Sequence, residues 1–444
     1  MENFLSKNRF NIIGLISGLL IGLILYLFPL ITAAKIILSL IGIGLILYKA
    51  EFGLYFIAFI LPLVSFRYVV LYFGLTLISF ILYMFIEKDF NFKRMPIKYS
   101  IALYLIPLFF ATITSLTLVE GLEKLIVYII AFLFLLLSIN LVNSKQKLYY
   151  LIIALIISST LVGFYGLYQY RTGIKLEAVW IDPEQNPDIE TRVISTFDNP
   201  NILAEYFILT IPITFALLYN TDSLFKKLFF LLCIVVQTLC ILLTYSRGGW
   251  LGIFLAMLIF AFFIDRKLLF LYIIGGIGLL LLNPKAIITR ITSIGSLEDS
   301  STAYRLPLWA ATVDMIEDFW LNGVGLGINA FRAIYPQYMR QGIVAAHSHN
   351  VFLQLLVEAG IFGLIGFMVF VFNSIRINLI TYVKGKDTKI KRIGMAVIAS
   401  VLGLLLHGMV DYVFFSNRII MMFWLIISIG IVGYILELDS IKKL

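Results

Sequence analysis

Two of the chain's three histidines, His347 and His349, stand within the stretch Ala346-His347-Ser348-His349-Asn350. Histidine is the side chain whose ordinary pKa lets it take or give a proton near neutrality, so this pair is the first candidate for acid–base chemistry. The stretch lies where a long polar segment meets the apolar run 351–372. A titratable group at the mouth of such a run, in so apolar a chain, is a functional candidate. The plainer alternative is that both rings cap a helix and satisfy loop carbonyls. Gly360 follows Asn350 after nine residues, and Gly363 and Gly366 follow at spacings of three, a pattern that permits close helix packing. Gln354 and Glu358 stand at i+5 and i+9 from His349, with Glu358 near the same helical face. The third histidine, His407, is four residues before Asp411, one helical turn away. Inside a bilayer such a pair is costly without partners, so it orients a loop or a catalytic group, or forms a structural hydrogen bond.

Arginines mark three further motifs. Arg192-Val-Ile-Ser-Thr-Phe-Asp-Asn-Pro-Asn201 leads into a helix that starts near Pro200. Asp198 or Asn199 can cap it and proline suits its first turn. Its free N–H groups then form a ready anion site beside Arg192 and Asn201. Ser246-Arg247-Gly248-Gly249-Trp250 places Arg247 in a tiny turn between two apolar runs. The glycines let backbone approach a ligand; the alternative is an interfacial turn with a snorkelling arginine. Tyr304-Arg305-Leu-Pro-Leu-Trp309 opens a segment with apolar Leu308, Ala311, Met315 and Phe319 against Asp314, Glu317 and Asp318. That predicts an amphipathic helix lying on the surface. Asn322-Gly-Val-Gly-Leu-Gly327 then reads as a flexible turn; without a preceding strand it is no dinucleotide fingerprint.

The elements that must position these residues are membrane helices. Hydrophobic residues make up 61% of the chain and charged residues 13%, with a mean hydropathy of +1.01. Soluble domains are nearer half apolar and a quarter charged. The fold class is therefore all-α, a polytopic membrane bundle. Apolar runs predict helices near 10–29, 31–48, 52–65, 68–86, 100–119, 122–142, 148–170, 200–220, 225–245, 249–264, 268–282, 350–378, 393–413 and 418–436. The runs 52–65, 249–264 and 268–282 are short enough to be half-helices, so twelve to fourteen spans are expected. The first run is long enough to span and shows no small-residue cleavage site, so it reads as a membrane helix rather than a signal peptide. Four units follow: N-terminal helices (1–170), central helices with a short loop (171–282), a large loop with amphipathic helices (283–348) and C-terminal helices (349–444). Cys233 and Cys240 lie seven apart in one apolar run, a spacing that suits buried thiols rather than a disulfide. The net charge of +9 is no nucleic-acid signal, because most lysines fall in short loops. No inner loop is long enough for a cytosolic domain, which argues against an ATP-driven pump.

Lysine and arginine set the orientation. With the N-terminus inside, the basic loops alternate through all fourteen helices, both termini are cytoplasmic, and the loops 171–199 and 283–348 lie outside. Inside, sixteen of twenty basic residues are lysine; outside, nine of twelve are arginine. Topology needs only positive charge, whereas arginine adds a planar fork that grips phosphate. An arginine-rich outer face suits a pyrophosphate. Arg171, Arg290, Arg332 and Arg340 are expected to pair instead with the acidic residues of the same loops.

Together and in this order, the motifs resemble the O-antigen ligase and O-antigen polymerase superfamily of bacterial membrane glycosyltransferases, over roughly 190–415. The resemblance is strongest at Ser246-Arg247-Gly248-Gly249-Trp250 and at His349-Asn350 with Gly360 and Gly363. The threonine pair that can follow the last glycine is absent, Leu364-Ile365 standing there, which leaves the acceptor open. The resemblance implies transfer of a glycan from an undecaprenyl-diphosphate carrier to a hydroxyl of a glycan, lipid or protein acceptor, outside the plasma membrane. His349 would be the general base, and Arg247 and Arg305 would stabilise the leaving diphosphate, with Arg192 third. Asn201, Trp309, His347, Asn350 and Glu358 would bind substrate, and His407 and Asp411 would support the base. Inversion is expected, with no cofactor, no metal and no nucleic-acid partner. The alternatives are a polymerase of the same superfamily, a polysaccharide or lipid-carrier transporter, and a membrane scaffold. A transporter is expected to place charge in mid-membrane with repeat symmetry, whereas the notable polar groups here cluster near the outer surface.

Overall fold

A computed structural model describes residues 2–87, 89–173, 191–270 and 300–442, with side chains over 14–87, 89–173, 191–270 and 303–438. Seven helices precede the first loop: α1 (Glu2–Leu27), α2 (Leu30–Tyr48), α3 (Glu51–Ile60), α4 (Phe66–Ile86), α5 (Lys98–Ile113), α6 (Leu118–Leu141) and α7 (Lys145–Thr172). Three follow it: α8 (Pro200–Tyr219), α9 (Leu224–Leu242) and α10 (Arg247–Ile264). After the second loop come α11 (Ser300–Phe319), α12 (Ile328–Ile334), α13 (Val351–Lys384), α14 (Thr388–His407) and α15 (Asn417–Lys442). No strand occurs among the described residues, so the bundle is all-α.

Ten of the described helices are long and apolar enough to cross a membrane; Gly14–Leu27, Glu51–Ile60 and Lys98–Ile113 are shorter apolar helices. The half-helix reading of 52–65 matches the ten residues of α3, while the expected short helix at 249–264 is the spanning α10. Most of the expected helix at 268–282 lies outside the described residues, as do the acidic residues of 174–190, Arg290, Glu298 and Asp299.

α8, α14 and α15 form the enclosed centre, and α2 and α4 expose most of their apolar surface. Small residues bring the central helices together. A Cβ at Gly403 of α14 would lie 2.6 Å from the Gly252 carbonyl of α10, so these helices cross in near backbone contact. At Gly366 of α13 a Cβ would lie 2.2 Å from the Leu103 carbonyl of α5. The free thiols Cys233 and Cys240 are buried on α9.

One end of the bundle gathers lysine-rich contacts: Lys145 pairs with Asp387 (2.7 Å) and Glu437 (2.8 Å), and Lys147 with Glu51. The opposite end carries α11, α12 and the mouths of α8, α10 and α13. There α11 buries Leu308, Ala311 and Met315 against Phe331, Ile334 and Tyr335. Its apolar face thus packs on protein rather than lying free on a surface as expected. Arg340 forms a forked pair with Asp314 on α11 (2.6 to 3.0 Å), the expected partner class for that arginine.

Segment 322–327 also departs from expectation. Gly323, Gly325 and Gly327 all hold positive φ, and Val324 and Leu326 are buried. α13 breaks at Gly360 (φ 63°, ψ −169°). Around the break, the Val357 and Glu358 carbonyls accept from Val324 N (2.7 Å) and Gly325 N (3.1 Å), and Ile361 N donates to the Trp320 carbonyl (2.8 Å). The turn is docked into the kink, so both kink and turn satisfy backbone groups that helix geometry would have paired.

Candidate active site

Asn350 caps α13, its Oδ1 accepting from Phe352 N (2.9 Å) and Leu353 N (3.1 Å). Its Nδ2 donates to the Met409 carbonyl (2.9 Å), and Val351 N donates to the Gly408 carbonyl (2.7 Å). The start of α13 is thereby pinned to the 408–416 loop. Ser348 is buried and held on three sides: its N–H donates to Gln354 Oε1 (2.8 Å), its Oγ to the Asn350 carbonyl (2.9 Å), and its carbonyl accepts from Trp309 Nε1 (2.9 Å). Between these fixed neighbours, His349 adopts φ 48°. A non-glycine residue held there costs on the order of 1–3 kcal/mol, and such strain gathers at functional sites.

His349 Nδ1 lies 3.1 Å from Asp411 Oδ1. Asp411 Oδ1 also accepts from Tyr412 N (2.8 Å), and Oδ2 from Asn201 Nδ2 (2.8 Å). Burial pushes the Asp411 carboxyl up, but the His349 hydrogen bond and the histidines around it hold it well below the ordinary carboxylate range. An ionised Asp411 keeps the proton on His349 Nδ1 and leaves Nε2 with its lone pair, the tautomer a general base requires. His347 sits 4.1 Å from His349, ring centre to ring centre, and its Nδ1 accepts from His349 N (3.2 Å). Burial, then the neighbouring His349, lower His347 to about 3, so it is neutral at neutral pH and shapes the mouth without charging it. The Tyr304 ring meets His349 edge-on at 5.8 Å.

The candidate arginines Arg192, Arg247 and Arg305 arrive from three segments, and a fourth arginine supports the first. Arg192 donates through Nε to the Thr244 carbonyl (2.8 Å) and through Nη2 to Asn201 Oδ1 (3.2 Å). A chain Arg192–Asn201–Asp411–His349 therefore runs across the mouth. Arg418, at the start of α15, donates to the Thr196 carbonyl (2.8 Å) and covers the Phe197 ring, fixing the loop that carries Arg192. Ser246 caps α10, its Oγ accepting from Gly249 N (3.2 Å), and sets half-buried Arg247 on the first turn. The adjacent glycines explain that turn's composition: a Cβ at Gly248 would fall 2.5 Å from His407 Nδ1, and one at Gly249 2.5 Å from Ala204 Cβ. Arg305, half-buried on α11 one turn before Trp309, is near enough for its charge to act on His347 and His407. The mouths of α8 and α10 add N-terminal N–H groups and their positive dipole ends.

His407 ends α14, so Asp411 sits in the following turn rather than on the same helix. Beneath the mouth, His407 Nε2 lies 3.4 Å from Glu205 Oε1, both residues buried. Among the described residues, two donor sets have the residue types a cation uses, His347–His349–Asp411 and Glu205–His407–Asp411, with ligand atoms within 4.8 Å of one another. Both share Asp411, whose oxygens already receive His349, Asn201 and Tyr412.

Glu358 is placed elsewhere than the sequence suggests. It is fully buried, accepting from Gln354 Nε2 (3.0 Å) and from the Tyr412 hydroxyl (3.0 Å to each oxygen). Tyr412 and Glu205 are the residues that sequence reasoning missed. Glu205 was detectable as the lone charge in the apolar helix 200–219; Tyr412, one tyrosine of 24, carried no signal.

No curated protein matches the chain. Residues 228–368 match the family model for O-antigen ligase. That segment contains Ser246 to Trp250, Arg305, both mouth histidines, Gly360 and Gly363. This match, over part of the chain, supports a likeness to the O-antigen ligase/polymerase superfamily of membrane proteins.

Proposed function

We propose that the chain transfers a glycan from an undecaprenyl-diphosphate carrier to an acceptor hydroxyl at the outer face of the plasma membrane, with both termini in the cytoplasm. The observation that carries this reading is the His349–Asp411 pair (3.1 Å) at a mouth shared with Arg192, Arg247 and Arg305. The acceptor O–H gives its proton to His349 Nε2, and the resulting imidazolium is stabilised by Asp411. The oxygen forms its bond to the anomeric carbon while the C–O bond to the diphosphate breaks on the opposite face, so configuration inverts. The electron pair leaves with the lipid diphosphate, whose growing charge falls to Arg247 and Arg305, with Arg192 behind them. The donor is already activated, so no nucleotide is needed, and guanidinium groups take the place that a divalent metal holds elsewhere. Asn201 ties Arg192 to Asp411, His347 and Asn350 shape the mouth, Trp309 steadies the turn, and His407 supports Asp411 from below. A polymerase differs only in its acceptor, a second lipid-linked glycan.

The test uses purified protein, an undecaprenyl-diphosphate oligosaccharide, and either a lipopolysaccharide core or the same lipid-linked glycan as acceptor. Nucleotide is omitted and EDTA is present. Transfer by the wild type and its loss of a thousandfold or more in a folded His349→Ala variant is the expected result. Undiminished transfer by that variant removes the base, and a strict need for Mg²⁺ or Mn²⁺ removes the role given to the arginines.

A further inference from the structure

Glu358 is too deeply buried to meet a substrate, yet its contacts lead to the candidate base by two routes. On one side it accepts from the Tyr412 hydroxyl (3.0 Å), and Tyr412 N donates to Asp411 Oδ1 (2.8 Å), which holds His349 Nδ1 (3.1 Å). On the other it accepts from Gln354 Nε2 (3.0 Å), and Gln354 Oε1 accepts from Ser348 N (2.8 Å), the residue before His349. The two routes close a ring that contains the strained His349 backbone. We propose that Glu358 is a positioning residue whose carboxylate locks Tyr412 and Gln354, and through them fixes the His349 ring against Asp411.

The carboxylate is suited to this because it only accepts. One oxygen receives both the amide of Gln354 and the Tyr412 hydroxyl, and that fixes the orientation of the Gln354 side chain. Gln354 must therefore turn its own oxygen to Ser348. Glutamine at 358 can donate as well as accept, so the Gln354 amide is free to flip and offer N–H to N–H at Ser348. The Glu358 backbone is held independently, since its carbonyl accepts from Gly325 N (3.1 Å). Nearby, Lys124 donates to the Phe414 carbonyl (2.8 Å) and to Asn417 Oδ1 (3.1 Å), so the loop behind Tyr412 is fixed without the carboxylate. Glutamine keeps an acceptor oxygen for the Gly327 N–H that the carboxylate also receives, so the change alters the ring while the backbone bonds of the kink remain.

This inference rests on the proposed role of His349, and the experiment separates the two. Glu358→Gln, Tyr412→Phe and the double variant are assayed with the undecaprenyl-diphosphate oligosaccharide, and folding is checked by detergent-phase melting. Glu358→Gln is expected to lower kcat by 10- to 100-fold with the donor KM within twofold. Tyr412→Phe should lower kcat in the same way, and the double variant should be no worse than the poorer single. A loss of folded protein with unchanged kcat per folded molecule, or strictly multiplicative effects, overturns the positioning role. If Glu358→Gln does not fold, Tyr412→Phe, which removes one hydroxyl, decides by the same kcat and KM criteria. A dead His349→Ala beside a fully active Glu358→Gln sinks only this inference; an active His349→Ala sinks the reading beneath it.

Discussion

Arg247 stands at the first turn of α10 with Ser246 capping the helix and Gly248 packed on His407, so its backbone has little freedom. A leaving diphosphate presents two or three oxygens in a plane that a guanidinium meets with parallel hydrogen bonds, and lysine cannot reproduce that fork. Arg247→Lys keeps the charge, so in the transfer assay kcat is expected to fall by about 10²-fold or more, the scale for losing a transition-state donor. Near wild-type turnover would reduce Arg247 to an interfacial anchor. At this scale the sequence was informative where a residue type is rare. Three histidines in 444 residues draw notice, and so does an arginine between glycines in an apolar chain. It was uninformative where the role depends on a partner distant in the chain. Glu358 looked like a mouth residue because helical spacing was counted from His349, which stands before the Asn350 cap with φ 48° and is not on α13. Its actual partners, Tyr412 and Gln354, are set by tertiary packing.

α13 is the element on which the site's geometry depends, and its break at Gly360 is backbone chemistry rather than packing alone. The conformation φ 63°, ψ −169° belongs to a region essentially confined to glycine. A Cβ there would also stand 2.1 Å from the Leu321 carbonyl. Gly360→Ala is therefore expected to destabilise the protein by about 3 kcal/mol, the upper end for a strained backbone position, measured as a lowered melting temperature in detergent. Gly74→Ala, on α4 with nothing within 4 Å of the added carbon, is the matched control and should be neutral or stabilising by up to about 1 kcal/mol. Equal melting temperatures for the two would mean the kink is not held by glycine. The spacing of Gly360 and Gly363 was visible in the sequence, and close packing was the expectation drawn from it. Packing accounts for Gly366 against Leu103, but the kink was not foreseen, because a positive φ leaves no periodic trace. The 322–327 glycines read as flexible for the same reason: glycine is needed both where chain is loose and where it is forced, and only the carbonyls of Val357 and Glu358 show which holds here.

Across the whole molecule, charge sorts the two ends, and the site stands at the arginine-rich one. Lys145, Lys147 and Lys389 lie at the end opposite the mouths of α8, α10 and α13, as the alternation of basic loops requires if that end faces the cytoplasm. Which loops share an end was readable from helix length and loop spacing; that the lysine-rich end faces the cytoplasm is the expectation that the positive residues give. Which helices form the centre was not readable, since lipid-facing and protein-facing apolar runs look alike. The orientation decides whether a lipid-linked glycan could reach His349 from outside, so it can be tested without any assay of transfer. Both native cysteines are buried, which leaves the protein silent toward a polar maleimide. Val344→Cys introduces a thiol at a residue 81% exposed beside the histidine turn, and Lys389→Cys one at an exposed position on the opposite end. In intact bacteria or spheroplasts, an impermeant maleimide should label Val344→Cys at once and Lys389→Cys only after the membrane is opened. The reverse pattern would place the mouth in the cytoplasm, where an outward-facing lipid diphosphate cannot meet it, and the proposed transfer would fail however well His349 and the arginines are arranged.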